Sequence, residues 1–106
     1  MKKKHILRKN WEFQDIIENN KNQKVNKYLI LYYRPNNENL RVGISVPKKT
    51  GNAPFRNYLK RQIRNIFDQL NQWKLKFDIV LILRKPFLQL TFQTKKEAIQ
   101  SILEKI

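Results

Sequence analysis

Apolar residues recur along the chain in more than one rhythm. After Asn10, the residues Phe13, Ile16 and Ile17 fall at helical spacing, while Glu12, Asp15 and Glu18 take other positions. This predicts a short helix from about Asn10 to Asn19, with Asn10 as its N-cap. Acids in its first two turns suit the positive end of the helix dipole. "NNKNQ" then breaks the helix. "KYLILYYR" alternates like a strand, with Tyr28, Ile30 and Tyr32 on one face and Leu29, Leu31 and Tyr33 on the other. After the turn "PNNEN", "LRVGISVP" predicts a second strand. Val42, Ile44 and Val46 point inward there, and Arg41, Gly43 and Ser45 lie opposite. The short turn favours an antiparallel hairpin, which Pro47 ends.

"KKTGN" leads into a long helix with Asn52 as N-cap and Pro54 tolerated in the first turn. Phe55, Leu59, Ile63, Ile66 and Leu70 form one stripe at about 100° per residue. Arg56, Lys60, Arg61 and Arg64 are read on the far side, and the helix is read as ending near Trp73. "KFDIVLILRKP" is a third strand whose unbroken apolar run predicts burial on both faces. A last helix buries Ile99, Ile102, Leu103 and Ile106, and Thr94 with Glu97 has capping-box spacing. The order is α-β-β-α-β-α. No linker, repeat or low-complexity segment interrupts it. The reading is one α+β domain over residues 1–106 with a small sheet, residues 1–8 being a mobile basic N-terminus.

Charge narrows the function. Lys and Arg number 23 against 8 acids, for a formal net charge of +15 in 106 residues. Such an excess implies a polyanionic partner, nucleic acid ahead of a membrane surface. The run Ile79–Leu83 is far too short to span a bilayer. The N-terminus lacks the apolar region of a secretory signal. The absence of Cys excludes disulfides, thiolate catalysis and Cys-based zinc sites, and fits a cytoplasmic protein.

Catalytic equipment is sparse. His5 is the only His, and it is read as an exposed residue of the N-terminus with no positioned partner for acid-base work. Glu12, Asp15 and Glu18 are read as dipole-complementing and solubilising residues. Two-metal chemistry normally gathers carboxylates from different elements, and Asp68 and Asp78 have no obvious acidic partner. The only two glycines, Gly43 and Gly51, stand too far apart for a P-loop or a GXXG clamp, and a dinucleotide fingerprint needs three. Gly51 is read either as a positive-φ turn aiming N–H groups at a phosphate or as a plain tight turn.

The basic helix face carries more. Arg56, Lys60 and Arg64 recur at i, i+4 and i+8 with Asn57 and Arg61 beside them, and no acid precedes Asp68 on this helix. Arg forks suit phosphate oxygens, and Lys adds point charge. Phe13, Tyr28, Tyr32 and Tyr33 are candidates to stack bare bases in a groove between the first helix and the sheet.

The stretch "RVGISVPKKTGNAPFRNYLKRQIRNIF", Arg41 to Phe67, closely resembles the bacterial ribonuclease P protein subunit. The flanking "LRKNWEFQDII", "NKYLILYY" and "DIVLILRKP" resemble the same family, so the likeness covers nearly the whole chain. The family motif has Arg where this chain has Tyr58, and often Phe where it has Ile17. The resemblance implies a fold like the second domain of a ribosomal small-subunit protein. That fold has about four strands, a short extra one near Lys24 to Asn26, and a left-handed β-α-β crossover. It implies a non-catalytic subunit of an endoribonuclease, whose RNA subunit removes the 5′ leader of precursor tRNA using Mg²⁺. No metal tightly bound to the protein and no obligate protein partner are expected. Lys48, Lys49, Asn52, Arg56, Asn57, Lys60, Arg61 and Arg64 match the surface facing the RNA subunit and the metal-rich region of the substrate. Phe13, Ile17, Tyr28 and Tyr32 are the candidates for a cleft that holds the single-stranded leader. The competing reading is a general structured-RNA-binding or ribosomal-type protein.

Overall fold

The computed structural model describes residues 1–7, 9–19 and 22–106. Arg8 of the N-terminal segment and Asn20 and Lys21 of the "NNKNQ" break lie outside the described residues. The elements are α1 (Asn10–Glu18), β1 (Gln23–Val25), β2 (Leu29–Pro35), β3 (Arg41–Ser45), α2 (Ala53–Leu70), β4 (Phe77–Leu83) and α3 (Phe92–Leu103). Short 3₁₀ turns at Lys3–His5, Lys48–Thr50 and Lys85–Gln89 join them. β1 is the short extra strand that the resemblance implies.

The four strands lie in the order β1-β2-β4-β3. β4 is antiparallel to β2, with Leu31 opposite Leu81, and parallel to β3, with Ile44 opposite Leu81. The expected β2–β3 hairpin is therefore corrected, because β4 inserts between the two. The physical reason is in the sequence of β4. Its apolar run is buried on both faces, and a strand of that kind is most stable in the sheet centre. The connection after β2 passes the entry of β4, where Asn36 N–H donates to the Lys76 carbonyl at 2.9 Å.

Each sheet face has its own core. On one face Leu29, Leu31, Val42, Ile79 and Leu81 pack with Leu59, Ile63, Ile66 and Phe67 of α2 and with Ile99, Ile102 and Leu103 of α3. On the other, α1 lays Ile16 against Val80 and Leu7, with Phe13, Ile17, Tyr32 and Ile82 around them. The result is three layers, α2 and α3 on one side of the sheet and α1 on the other.

Several boundaries shift for local reasons. Asn10 is the first residue of α1, and Lys9 is its N-cap with no side-chain bond. Asn52 caps α2 as expected, its Oδ1 accepting the Phe55 N–H at 3.0 Å. α2 ends at Leu70, before Trp73, because Asn71 turns left-handed at φ 51°. Phe67 joins the buried stripe, and Phe55 leaves it for solvent. α3 is capped by Thr91, which accepts the Thr94 N–H at 3.2 Å, and Glu97 binds Gln93 instead of closing a box with Thr94.

The reading of His5 as exposed is a further correction. His5 is buried, its Nδ1 donating to the Leu40 carbonyl at 2.7 Å. Its ring stacks on Trp73 with centroids 4.3 Å apart. Leu7 N–H donates to the Val42 carbonyl at 3.0 Å, so this segment runs along the open edge of β3. The apolar surface of Leu7 and of the His5 ring outweighs the surrounding lysines in deciding where the segment lies.

Candidate nucleic-acid interface

One buried carboxylate positions α1. Asp78, at the start of β4, receives the Arg41 fork, with Nε and Nη2 each 2.8 Å from a carboxylate oxygen. Asn36 Nδ2 adds a bond at 2.7 Å. Arg41 also donates to Glu12 of α1 at 3.1 Å, and Arg34 of β2 pairs with Asp15. Glu12 and Asp15 therefore tie the helix to the sheet, beyond the dipole and solubility roles read from sequence. Burial pushes the Asp78 carboxyl up, but the bonds from Arg41 and Asn36 outweigh it and hold the group below the usual range. The bond to Asp78 raises the Arg41 guanidinium, and Asn19 and Arg34 lower Asp15. Sequence reasoning missed this network. Its signal was a lone acid before an apolar run, with one Arg late in β2 and another opening β3.

Gly43 sets how closely α1 approaches the sheet. A Cβ there would sit 2.6 Å from Cζ of Phe13, well inside van der Waals contact. Without it, the Phe13 ring lies directly over the strand. Beside that ring opens a hollow of about 550 Å³, lined by Leu7, Gln14 and Ser45, and by Lys60 and Arg64 from α2. Arg56, Lys60 and Arg64 are half-buried rather than on the far side of the helix. The ridge flanks the buried stripe, and two of its cations border the same hollow as Phe13.

The rest of the basic set is exposed: Lys48 and Lys49 in the turn before α2, then Asn52, Asn57 and Arg61. Among the described residues, no carboxylate pairs with Lys48, Lys49, Arg56, Lys60, Arg61 or Arg64. The Nε atoms of Arg56 and Arg64 are buried without a hydrogen-bond partner. Donors of this kind suit phosphate oxygens. Gly51 has φ 164°, which is extended backbone, so the positive-φ reading is corrected. Its small size matters instead, because a Cβ would meet the Phe55 ring at 2.8 Å.

The four cleft candidates divide. Phe13, Ile17 and Tyr32 meet under α1. Tyr28 packs against the α2–α3 core instead. Strand alternation starts only at Leu29, because Asn26 Oδ1 accepts the N–H groups of both Tyr28 and Leu29 at 2.8 Å and turns the chain there. Tyr33 also belongs to that core and meets Phe77 edge-on at 5.8 Å. Among the described residues, no three His, Cys, Asp or Glu side chains are grouped to hold a metal ion. No described helix is long and apolar enough to cross a membrane.

Comparison with known proteins gives one answer. The family model described as Ribonuclease P matches residues 1–106. A ribonuclease P protein component of Mycoplasma mobile is 47% identical over 106 residues, covering 100% of this chain and 93% of the relative. One from Bacillus pumilus is 39% identical over 108 residues, covering 99% and 90%. The solved RNase P protein of Thermotoga maritima superposes with a TM-score of 0.84 at 34% identity, over 94% of this chain and 96% of that one. That of Staphylococcus aureus gives 0.82 at 33%, over 94% and 93%.

Proposed function

The chain belongs to the ribonuclease P protein family, and from that premise we propose that its cleft and its basic ridge bind two RNAs in one holoenzyme. The chain is the non-catalytic protein component, assisting a catalytic RNA in removing the 5′ leader of precursor tRNA. In this reading the ridge, with Lys48, Lys49, Asn52, Arg56, Asn57, Lys60, Arg61 and Arg64, faces the RNA subunit. The α1 face, with Phe13, Ile17 and Tyr32, takes the single-stranded leader. Both partners place the protein in the cytoplasm.

The observation that carries the reading is the shared hollow. Phe13 offers a ring for stacking, and Lys60 and Arg64 bring unpaired positive charge to the same space. A single strand passing there keeps its bases against the aromatic side and its phosphates near Lys60 and Arg64, the part of the ridge that borders the hollow, while the rest of the ridge faces the RNA subunit. For the Mg²⁺ that the family implies, Glu12, Asp15 and Asp78 are poor ligands, since they already pair with Arg34 and Arg41. This supports assigning the metal ions to the RNA.

The test is cleavage of a 5′-extended precursor tRNA at low Mg²⁺ by the protein, by a bacterial ribonuclease P RNA, and by both. Cleavage with both alone is the expected result. Phe13→Ala should weaken binding of leader-bearing substrate by the holoenzyme and spare leaderless tRNA. Equal loss for the two substrates would remove the cleft from the proposal. Tight binding to unrelated RNAs without rescue of the catalytic RNA would favour a general RNA binder.

A further inference from the structure

Two large aromatic side chains stand in solvent on α2, outside the cleft. Phe55 is 40% exposed and Tyr58 is 48% exposed. They are three residues apart, hence neighbours on the helix surface. At about 100° per residue they fall on one flank of the buried stripe, and Arg56, Lys60 and Arg64 fall on the other. The cleft therefore has no use for them.

Both rings are held in place. The Phe55 ring lies over Gly51, where a Cβ would come within 2.8 Å of Cδ2. Tyr58 Oη accepts a hydrogen bond from Gln62 Nε2 at 3.0 Å. Gln62 Oε1 in turn accepts from Lys95 Nζ of α3 at 2.8 Å. Lys95 is buried, with its ammonium 5.7 Å from the Phe87 centroid. This chain of contacts runs from the protein interior to an exposed ring. Rings already fixed lose little rotamer freedom when something stacks on them.

We propose that Phe55 and Tyr58 form an aromatic platform that stacks an unpaired base of the ribonuclease P RNA. The proposal rests on the reading of α2 as the face toward that RNA. Charge selects the occupant. The segment from Lys48 to Asn65 contains no acid, and Lys48, Lys49 and Arg61 are exposed. A base resting on the platform keeps its phosphates within a positive field. An apolar protein segment would gain nothing from that field. Tyr58 is also where the chain departs from the motif of the family it resembles. Stacking is worth about 1–3 kcal/mol per base, or roughly 5- to 150-fold in affinity.

The experiment is equilibrium binding of a bacterial ribonuclease P RNA across a salt series. It compares wild type, Phe55→Ala, Tyr58→Ala, Tyr58→Leu, Tyr58→Phe and, as an electrostatic control, Arg64→Ala. The two Ala variants and Tyr58→Leu should each weaken binding roughly 5- to 150-fold with an unchanged salt slope, since no charge is removed. Tyr58→Phe should keep most of the affinity, and Arg64→Ala should lower the slope by about 1. Wild-type affinity in Phe55→Ala and Tyr58→Ala, with the Arg64 effect present, overturns the platform and leaves the RNA-facing helix intact. Full affinity in Tyr58→Leu shows simple apolar contact and overturns stacking. Sedimentation showing self-association that Phe55→Ala abolishes, with RNA binding unchanged, assigns the rings to a protein contact instead. Failure of wild type to bind this RNA defeats the proposal together with the reading beneath it.

Discussion

Replacing Asp78 by Asn removes the charge at the centre of the α1–sheet network and keeps its size. The Arg41 fork then faces an amide that accepts through one oxygen only and turns an NH₂ group toward a cation. Removing one partner of a fully buried pair costs about 3–5 kcal/mol. Asp78 meets that condition, but the Arg41 side chain is 31% exposed and keeps Glu12. Water and Glu12 take up part of the loss, which brings the expected cost to about 2–3 kcal/mol. For a domain of this size that lowers Tm by roughly 10–20 °C. Urea unfolding of both proteins, repeated from neutral to acid pH, is the assay. The folded Asp78 carboxyl lies below its ordinary value. Its contribution is therefore complete above the unfolded pKa of about 3.9 and is lost as pH falls through the lower folded value. The gap between wild type and variant should hold steady down to about pH 4 and close below it. A gap that stays constant at the lowest pH where wild type still folds would refute the argument, as would a gap under about 0.5 kcal/mol at pH 7.

Other outcomes follow from the site and the caps. Arg64→Ala should weaken binding to the ribonuclease P RNA and reduce its salt slope by about 1, read from a binding series in KCl. Gly43→Ala puts a methyl against the Phe13 ring, so stability should fall by about 1–3 kcal/mol and leader-dependent affinity should fall with it. A melting curve and a comparison of leader-bearing with leaderless tRNA separate the two effects. Thr91→Ala removes the cap of α3 and should cost about 1 kcal/mol in urea unfolding without changing RNA affinity.

The helices and strands were legible because their periodicities are local. The alternation of Leu29 and Leu31 and the apolar spacing of Leu59, Ile63 and Ile66 each report a buried face without knowledge of the partner. Strand order was not legible by the same means. The turn after Pro35 obeys a local rule for hairpins. It is overridden because Ile79–Leu83 needs a neighbour on both edges and because Asp78 stands in register with both Arg34 and Arg41. Candidate site residues on α2 were visible as charge, but their position beside the hollow depends on where α1 rests. That position is decided by Gly43 and Glu12, whose roles appear only once distant segments meet. Tyr28 misled for the opposite reason, since the strand pattern was extended one residue past a turn fixed by Asn26.

The place of β4 in the middle of the sheet also bears on how the protein is made. β4 follows α2 in the chain, yet both β2 and β3 pair with it and not with each other. A growing polypeptide that has reached Lys76 has β1 to pair with β2 and the Ile6–Leu7 segment to lie beside β3, but no partner for the edges of β2 and β3 that face the sheet centre. It also lacks Val80, on which Ile16 of α1 rests. Contacts so far apart in sequence form slowly and late. During synthesis α2 thus emerges with its lysines and arginines before the hollow beside them can exist. If the hollow holds RNA as proposed, the newborn chain has only its charge to attract RNA, and discrimination among RNAs waits for the central strand.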